Sequence, residues 1–402
     1  MRISKLIAVM ILAFFTSVKG VSQNAPAHLK YFGYAIVDCF FDDPTDNSTI
    51  TNYISEVDSF SNLAQMCVYD YNSTIEARVN LMNSHCVLPI VHIQSIFYER
   101  VGSNALSGDD FDLDPNYMSQ WNIFKINNLA VLDTSKIAAF YLVDEPFWNG
   151  LNFSDINTVS ALIKSDFPNI PIMIIEASGG LNMLQIPTSI DWISFDNYGI
   201  FDPSTDPNYL ADLALLKSKK SRTSQKIFLT VDDQWLPLYG NAGFPPDTIR
   251  FMVQNYYNLA ANDTDIVGLL AYLWPGGLDD PNQMGVRNMP QSVKDKNVEI
   301  GLKIKANYSP CEITSITEGS LSNSSVKVFP NPATDEVVFE FSDNENLNYQ
   351  LRLYSVFGEL IYSSIISSSK TSIALNHVSS GLYFYTITSP TKTVYSGKFV
   401  KN

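Results

Sequence analysis

Asp144 and Glu145 stand side by side at the end of the apolar run Ile137-Ala138-Ala139-Phe140-Tyr141-Leu142-Val143, and Pro146 follows them. A carboxyl group can give a proton to a leaving oxygen, take one from water, or attack an electrophilic carbon. Seven further apolar runs between residues 31 and 275 also close on polar residues. Their ends supply Asp38, then Tyr69 and Asp70, His92 and Gln94, and Glu176. Further along come Asp196, Asn197 and Tyr198, then Asp232, Asp233, Gln234 and Trp235, and last Tyr272 and Trp274. This set is rich in carboxylates and aromatic rings and poor in Lys, Arg and Cys. Aromatic faces stack on the apolar faces of sugars. Hydrolysis of a glycosidic bond needs two carboxyls flanking the scissile bond.

Such residues must be positioned by the runs they terminate. An all-apolar segment reads as a strand buried on both faces, as in a parallel sheet. The spacing predicts eight strands: Tyr31–Asp38, Leu63–Asp70, Val87–Gln94, Ile137–Glu145, Pro171–Glu176, Trp192–Tyr198, Ile227–Asp233 and Val267–Trp274. Helical segments are expected between them at Thr49–Asn62, Thr74–Asn83, Tyr117–Leu132, Ser154–Asp166, Tyr209–Lys217 and Asp247–Ala261, with Ser154 or Asp155 as one N-cap. Eight strands alternating with helices over this length predict an α/β fold, a (β/α)8 TIM barrel, whose active site lies at the C-terminal ends of the strands. A doubly wound sheet would more often carry a glycine-rich phosphate loop after its first strand, and none follows Asp38. The long loop from Ser95 to Asn116 is expected to form a lid or a substrate wall.

The chain has 402 residues, with 46% hydrophobic and 17% charged residues and a net charge of −15. That length holds one large domain and one small one. The negative charge repels phosphate backbones, so nucleic acid is not an expected partner. Residues 1–23 read as a secretory signal peptide, a basic start followed by the apolar run Leu6 to Phe15. No other segment reaches transmembrane length. Cys39, Cys67, Cys86 and Cys311 match no zinc spacing and read as buried small hydrophobes with at most one disulfide. The barrel is expected over 24–308 and a Ser/Thr/Asn-rich linker over 309–325. Residues 326–402 alternate apolar and polar in short strands, which predicts a small all-β sandwich.

Within that tail, Val328-Phe329-Pro330-Asn331-Pro332-Ala333-Thr334-Asp335, Leu353-Tyr354-Ser355-Val356-Phe357-Gly358, Ser380-Gly381-Leu382-Tyr383-Phe384 and Gly397-Lys398-Phe399-Val400-Lys401 occur in order. The tail resembles the type A sorting domain of the type IX secretion system of Bacteroidota. The resemblance implies passage through the periplasm and outer membrane to the cell surface or medium, with the secretion machinery as partner. Asp144-Glu145-Pro146 resembles the Asn-Glu-Pro of clan A glycoside hydrolases, whose Glu is the general acid/base, and Trp274 at the end of the eighth strand resembles that clan's sugar-floor Trp. Two departures stand out. Asp144 replaces the Asn that contacts the sugar 2-hydroxyl, and Asp232-Asp233 ends the seventh strand where the clan has a nucleophilic Glu.

Together these point to a secreted glycoside hydrolase acting on a polysaccharide or oligosaccharide, with no cofactor. Glu145 is the expected proton donor, and Asp232 or Asp233 its partner, with Glu176 and Asp196 as other candidates. Asp38, Asp70, His92, Asp144, Glu176, Asp196, Tyr198, Trp235 and Trp274 are expected to contact the substrate. Adjacent strand residues face opposite ways, so Asp144 and Glu145 both enter the mouth only if the strand has ended. One alternative is a non-catalytic carbohydrate-binding barrel, which would keep the tryptophans and need no paired acids. Another is a metal-dependent barrel hydrolase with Asp38, Asp70, His92, Glu145 and Asp232 around a divalent ion. A chitinase-like, substrate-assisted mechanism wants an acid two residues before Glu145, where Val143 stands.

Overall fold

The computed structural model describes residues 24–311, 326–341, 349–355, 360–366, 368–388 and 393–402. The expected signal peptide and all but residues 309–311 of the expected linker lie outside them. The chain divides into two compact units, 1–311 and 312–402.

The first unit is a closed barrel of eight parallel strands: β1 Tyr31–Asp38, β2 Leu63–Cys67, β3 Leu88–His92, β4 Ala139–Asp144, β5 Ile172–Ala177, β6 Trp192–Asp196, β7 Lys226–Asp232 and β8 Ile266–Tyr272. Each strand pairs with its neighbours in sequence, and β8 closes on β1. The strands are apolar because both faces are covered. Ile90, Ala139, Tyr141, Met173, Ile175 and Leu270 fill the interior, and Phe32, Phe140, Leu142, Ile193 and Val231 pack outward under the helices. Tyr31, Trp192 and Phe228 cluster near the strand starts, with ring centroids 4.8–5.7 Å apart, and plug that end. Any open cleft is thereby confined to the C-terminal mouth.

The connections differ in places from the expected ones. The first helix shrinks to Ile54–Val57. Arg287 instead ties the chain before it to the helix, ion-pairing with Asp46 on the one and Glu56 on the other. The helix Phe153–Asp166 is capped by Asn152, whose side chain accepts from the Asp155 N–H at 3.2 Å, not by Ser154 or Asp155. Between β5 and β6 the described chain holds only a 3₁₀ turn, Ser178–Gly180. A helix at Gln291–Lys305 closes the unit. The long third loop folds into a two-stranded hairpin, Tyr98–Gly102 with Asp110–Leu113.

The expectation of at most one disulfide is corrected. Cys39–Cys67 and Cys86–Cys311 are both bonded. Burial alone cannot distinguish a thiol from a bridge; two strand ends brought side by side can. The second bridge joins Cys311 to the barrel, three residues past the expected boundary at 308.

The second unit is a β-sandwich. A three-stranded sheet (Val326–Phe329, Glu336–Phe341, Lys370–Ala374) and a four-stranded sheet (Tyr349–Tyr354, Leu360–Ile366, Gly381–Thr388, Thr393–Lys401) share a core that includes Val337, Phe339, Leu351, Leu353, Ile387 and Phe399. No helix among the described residues is long and apolar enough to cross a membrane.

Candidate active site

Glu145 is where the backbone departs from the strand. The β4–β5 register shifts between Tyr141 and Val143, β4 ends at Asp144, and Glu145 takes a φ of +47°. A left-handed conformation at a non-glycine residue costs about 1–3 kcal/mol and persists only where its surroundings hold it. Here they do. The Glu145 N–H donates to the Ile175 carbonyl at 2.7 Å, and its own carbonyl accepts from the Asn149 N–H at 2.8 Å. Asn149 Nδ2 donates to the Asp144 carbonyl at 3.1 Å.

Glu176 clamps the turn from below. Its carboxyl accepts backbone N–H donors from Phe147 (2.9 Å), Trp148 (3.1 Å) and Ala177 (3.1 Å), and it is fully buried. A Cβ at Gly180 would overlap this carboxyl, and one at Gly179 would overlap the Trp148 ring. Two glycines in the β5–β6 connection thus admit the clamp. Burial pushes the Glu176 carboxyl up to about 7 against the pull of those three donors. Its role is positional, in place of the expected sugar contact.

The turn brings Asp144 and Glu145 to the same mouth, and the condition that the strand must first end is met. Asp144 is tethered by the Tyr141 hydroxyl, and its N–H donates to Gln94 Oε1 at 3.0 Å. Glu145 meets Asp196, the last residue of β6, carboxyl to carboxyl. Burial first, then the Asp144 charge, raises both groups: Glu145 to about 7, and Asp196 well above the usual carboxylate range. Two carboxylates in contact repel unless one holds a proton, so the pair titrates as a unit and retains one proton into the neutral range. The Tyr198 hydroxyl reaches Asp196 Oδ2 at 3.4 Å, and the Tyr198 ring lies 5.3 Å from that of Tyr272.

His92 stacks on Tyr141 at 4.4 Å. Its Nδ1 faces Gln65 Nε2 and its Nε2 faces Gln94 Oε1, both at 3.3 Å, which assigns the proton to Nε2. Burial lowers its pKa to about 4, so the ring is neutral. Both nitrogens are already engaged within the protein.

Other expected contacts stand elsewhere. Asp233 is fully buried and faces Asn297 of the last helix at 3.3 Å. Asp232, also fully buried, accepts from the Gly199 N–H (2.7 Å) and the Tyr239 hydroxyl (2.7 Å). The expectation that one of them partners Glu145 is therefore revised: both side chains are fully buried and turned toward Tyr239 and Asn297, with one oxygen of each left without a partner. Trp274 is revised likewise. It packs outward against Tyr34 and Phe60, and its indole N–H donates to Glu56 at 2.7 Å. Trp235 is half-buried, with its N–H on the Phe244 carbonyl at 2.8 Å. Asp38 is ion-paired with Arg78 at 2.8 Å. Asp70 lies in an exposed turn, accepting from the Asn72 N–H at 2.8 Å. Among the described residues no three His, Cys, Asp or Glu side chains gather as a metal ion would require.

Several site residues carried no strong sequence signal. Tyr141 is one of seven apolar residues in its run. Trp148 follows Pro146 in a loop. Asp279, which accepts from the Tyr272 hydroxyl at 2.8 Å, sits in a turn beyond β8. Strand alternation picks out Tyr141 as an interior residue; nothing local distinguishes Asp279 from Asp280.

No curated protein matches the sequence. The chain is similar to the solved structure of an endo-β-1,4-mannanase double mutant from Cellulomonas fimi, at 9% identity over 95% of this chain and 99% of that one, with a TM-score of 0.41. An FMN-binding β-glucuronidase from Facaelibacterium prausnitzii L2-6 is also 9% identical, over 96% of this chain and 57% of that one, with a TM-score of 0.41. PorZ, a surface component of the type IX secretion system of Porphyromonas gingivalis, is 19% identical over 19% of this chain and 11% of that one, with a TM-score of 0.18. Likenesses this distant carry no information on activity. Residues 327–402 match the family described as the secretion system C-terminal sorting domain. This chain thus ends in a type IX sorting domain, which directs export to the cell surface or medium.

Proposed function

We propose that the chain is an exported glycoside hydrolase that cleaves a polysaccharide or oligosaccharide, with the Glu145–Asp196 pair as its proton donor. The observation that carries this reading is the direct pairing of those two carboxyls at the barrel mouth, beside the tethered charge of Asp144. A proton kept on carboxyls into the neutral range is what a leaving sugar oxygen needs at the moment of bond cleavage. The surrounding Tyr198, Tyr272 and Trp148 provide aromatic surface suited to sugar faces.

Purified mature protein incubated with plant, algal and fungal glycans should release new reducing ends from at least one. Glu145→Gln should abolish that release while glycan binding, measured by calorimetry, persists. Binding by the wild type without turnover of any glycan would sink the hydrolase reading and favour a binding barrel.

A further inference from the structure

We propose that Asp279 is the second carboxylate of the reaction, the general base that takes a proton from the attacking water. The proposal rests on the glycosidase reading above. Carboxyls close enough to share a proton leave no room between them for a sugar carbon. The two centres of a glycosidase stand about 5–5.5 Å apart for retention and about 6.5–9.5 Å for inversion. Glu145 and Asp196 are therefore one acid centre, and the other must lie elsewhere.

Of the remaining strand-end acids, Asp70 turns back on its own exposed loop, where its Oδ1 takes the Asn72 N–H and Nδ2, and the other five are held within the fold. Asp38 pairs with Arg78, Glu176 holds three backbone donors, Asp144 is tethered by Tyr141, Asp232 is buried beneath Gly199 and Tyr239, and Asp233 faces Asn297. Asp279 differs. It lies exposed on the loop after β8. Its Oδ2 accepts from the Tyr272 hydroxyl at 2.8 Å and from Gln283 Nε2 at 3.0 Å, and its own N–H donates to Gln283 Oε1 at 3.0 Å. Gln283 is fully buried and also donates to Gln234, so this exposed carboxyl is pinned from beneath. Its Oδ1 accepts from none of the described residues.

The Tyr272 ring lies 5.3 Å from Tyr198, whose hydroxyl points to Asp196. Asp279 and the acid pair thus bracket one tyrosine platform. The Asp279 charge is felt by both Asp144 and Glu145, which sets all of them on the same mouth.

One tethered oxygen and one open, solvent-facing oxygen suit a group that orients water. In the step, a lone pair of that water forms the bond to the anomeric carbon while Asp279 takes the water's proton. The bond from that carbon to the leaving oxygen breaks, and that oxygen takes the proton of the Glu145–Asp196 pair. Asp279 ends protonated and the pair ends deprotonated. Solvent restores both, and one water has been added across the bond. Direct attack by water predicts inversion.

The test uses full-length mature protein on a glycan that the wild type cleaves. Asp279→Asn should lower kcat by about 10²- to 10⁴-fold, with an unchanged melting temperature, whereas Asp280→Asn next to it should stay within about threefold. Azide should restore turnover to Asp279→Ala and yield a glycosyl azide of inverted configuration. Proton NMR of the first wild-type product should show the inverted anomer. Activity in Asp279→Asn, or a retained first product, would overturn the base assignment. If Glu145→Gln is inactive in the same assay, the glycosidase reading survives that loss. If Glu145→Gln is active, both fall.

Discussion

Asp144-Glu145 closes β4 and Asp232-Asp233 closes β7, and the same kind of acid pair meets two fates. At β7 the strand keeps its register up to its last residue, Asp232. Asp232 is still in register with Tyr272, and the Asp233 N–H donates to the Tyr272 carbonyl at 2.8 Å. Alternation then turns the two side chains opposite ways, Asp232 toward Tyr239 and Asp233 toward Asn297. At β4 a register shift and a left-handed residue break the alternation, and both acids reach the mouth. Adjacent acids at a barrel mouth are thus a chemical resource only where the backbone has left the strand.

The contrast is sharpest in activity. Glu145→Gln is expected to reduce turnover by about 10²- to 10⁴-fold, and Asp233→Asn by less than about threefold, in steady-state assays on the same glycan. Comparable losses at both sites would erase the distinction. Next in size is the clamp. Glu176→Ala leaves three backbone donors unpaired and should cost roughly 3 kcal/mol in chemical denaturation, with turnover falling alongside because the Glu145 turn relaxes. Glu176→Gln, which keeps one acceptor oxygen, should recover part of both.

Asp233 offers a pH test. Burial pushes its carboxyl up to about 8. Asp233 Oδ2 and Asn297 Oδ1 are both buried without a partner, and a proton on Oδ2 would join them. A raised folded-state pKa means the folded chain holds a proton that the unfolded chain releases near pH 4. The associated stability is present below about pH 4 and is lost as pH rises toward about 8. Asp233→Asn supplies the donor permanently. It should flatten the fall in denaturation free energy over that window by on the order of 5 kcal/mol. A variant that follows the wild-type curve would show that Asp233 does not titrate there.

The smallest expected effect is at Asp144. Its charge raises the proton affinity of the Glu145–Asp196 pair, second only to burial. Asp144→Asn should therefore shift the basic limb of the pH–kcat profile to lower pH. A shift to higher pH would mean that its charge is not what helps hold that proton.

Much of this was legible in the chain. Residues such as Phe140-Tyr141-Leu142-Val143 leave no polar face for water, so they specify a strand covered on both sides. Eight such runs, separated by helical lengths, specify a closed parallel barrel. The alternating tail likewise specified its sandwich, and its motifs their family. Trp274 misled because an aromatic at a strand end reads the same whether it faces the mouth or the helices; its position against Tyr34 and Phe60 depends on where the chain turns after Tyr272. The disulfides were illegible for a related reason: Cys86 and Cys311 lie 225 residues apart, and only closure of the barrel brings them together.

The sequence by itself determined the barrel, the exported tail and the set of acids at the strand ends, because burial and periodicity act locally along the chain. Which acids act together was decided by tertiary structure alone. Glu145 meets Asp196 because Glu176, two glycines and the β5 carbonyl of Ile175 hold one residue in a backbone conformation it would not adopt unaided. That balance sums contacts between the 144–149 turn and residues 175–180, two segments apart in the chain, and neither stretch contains it alone.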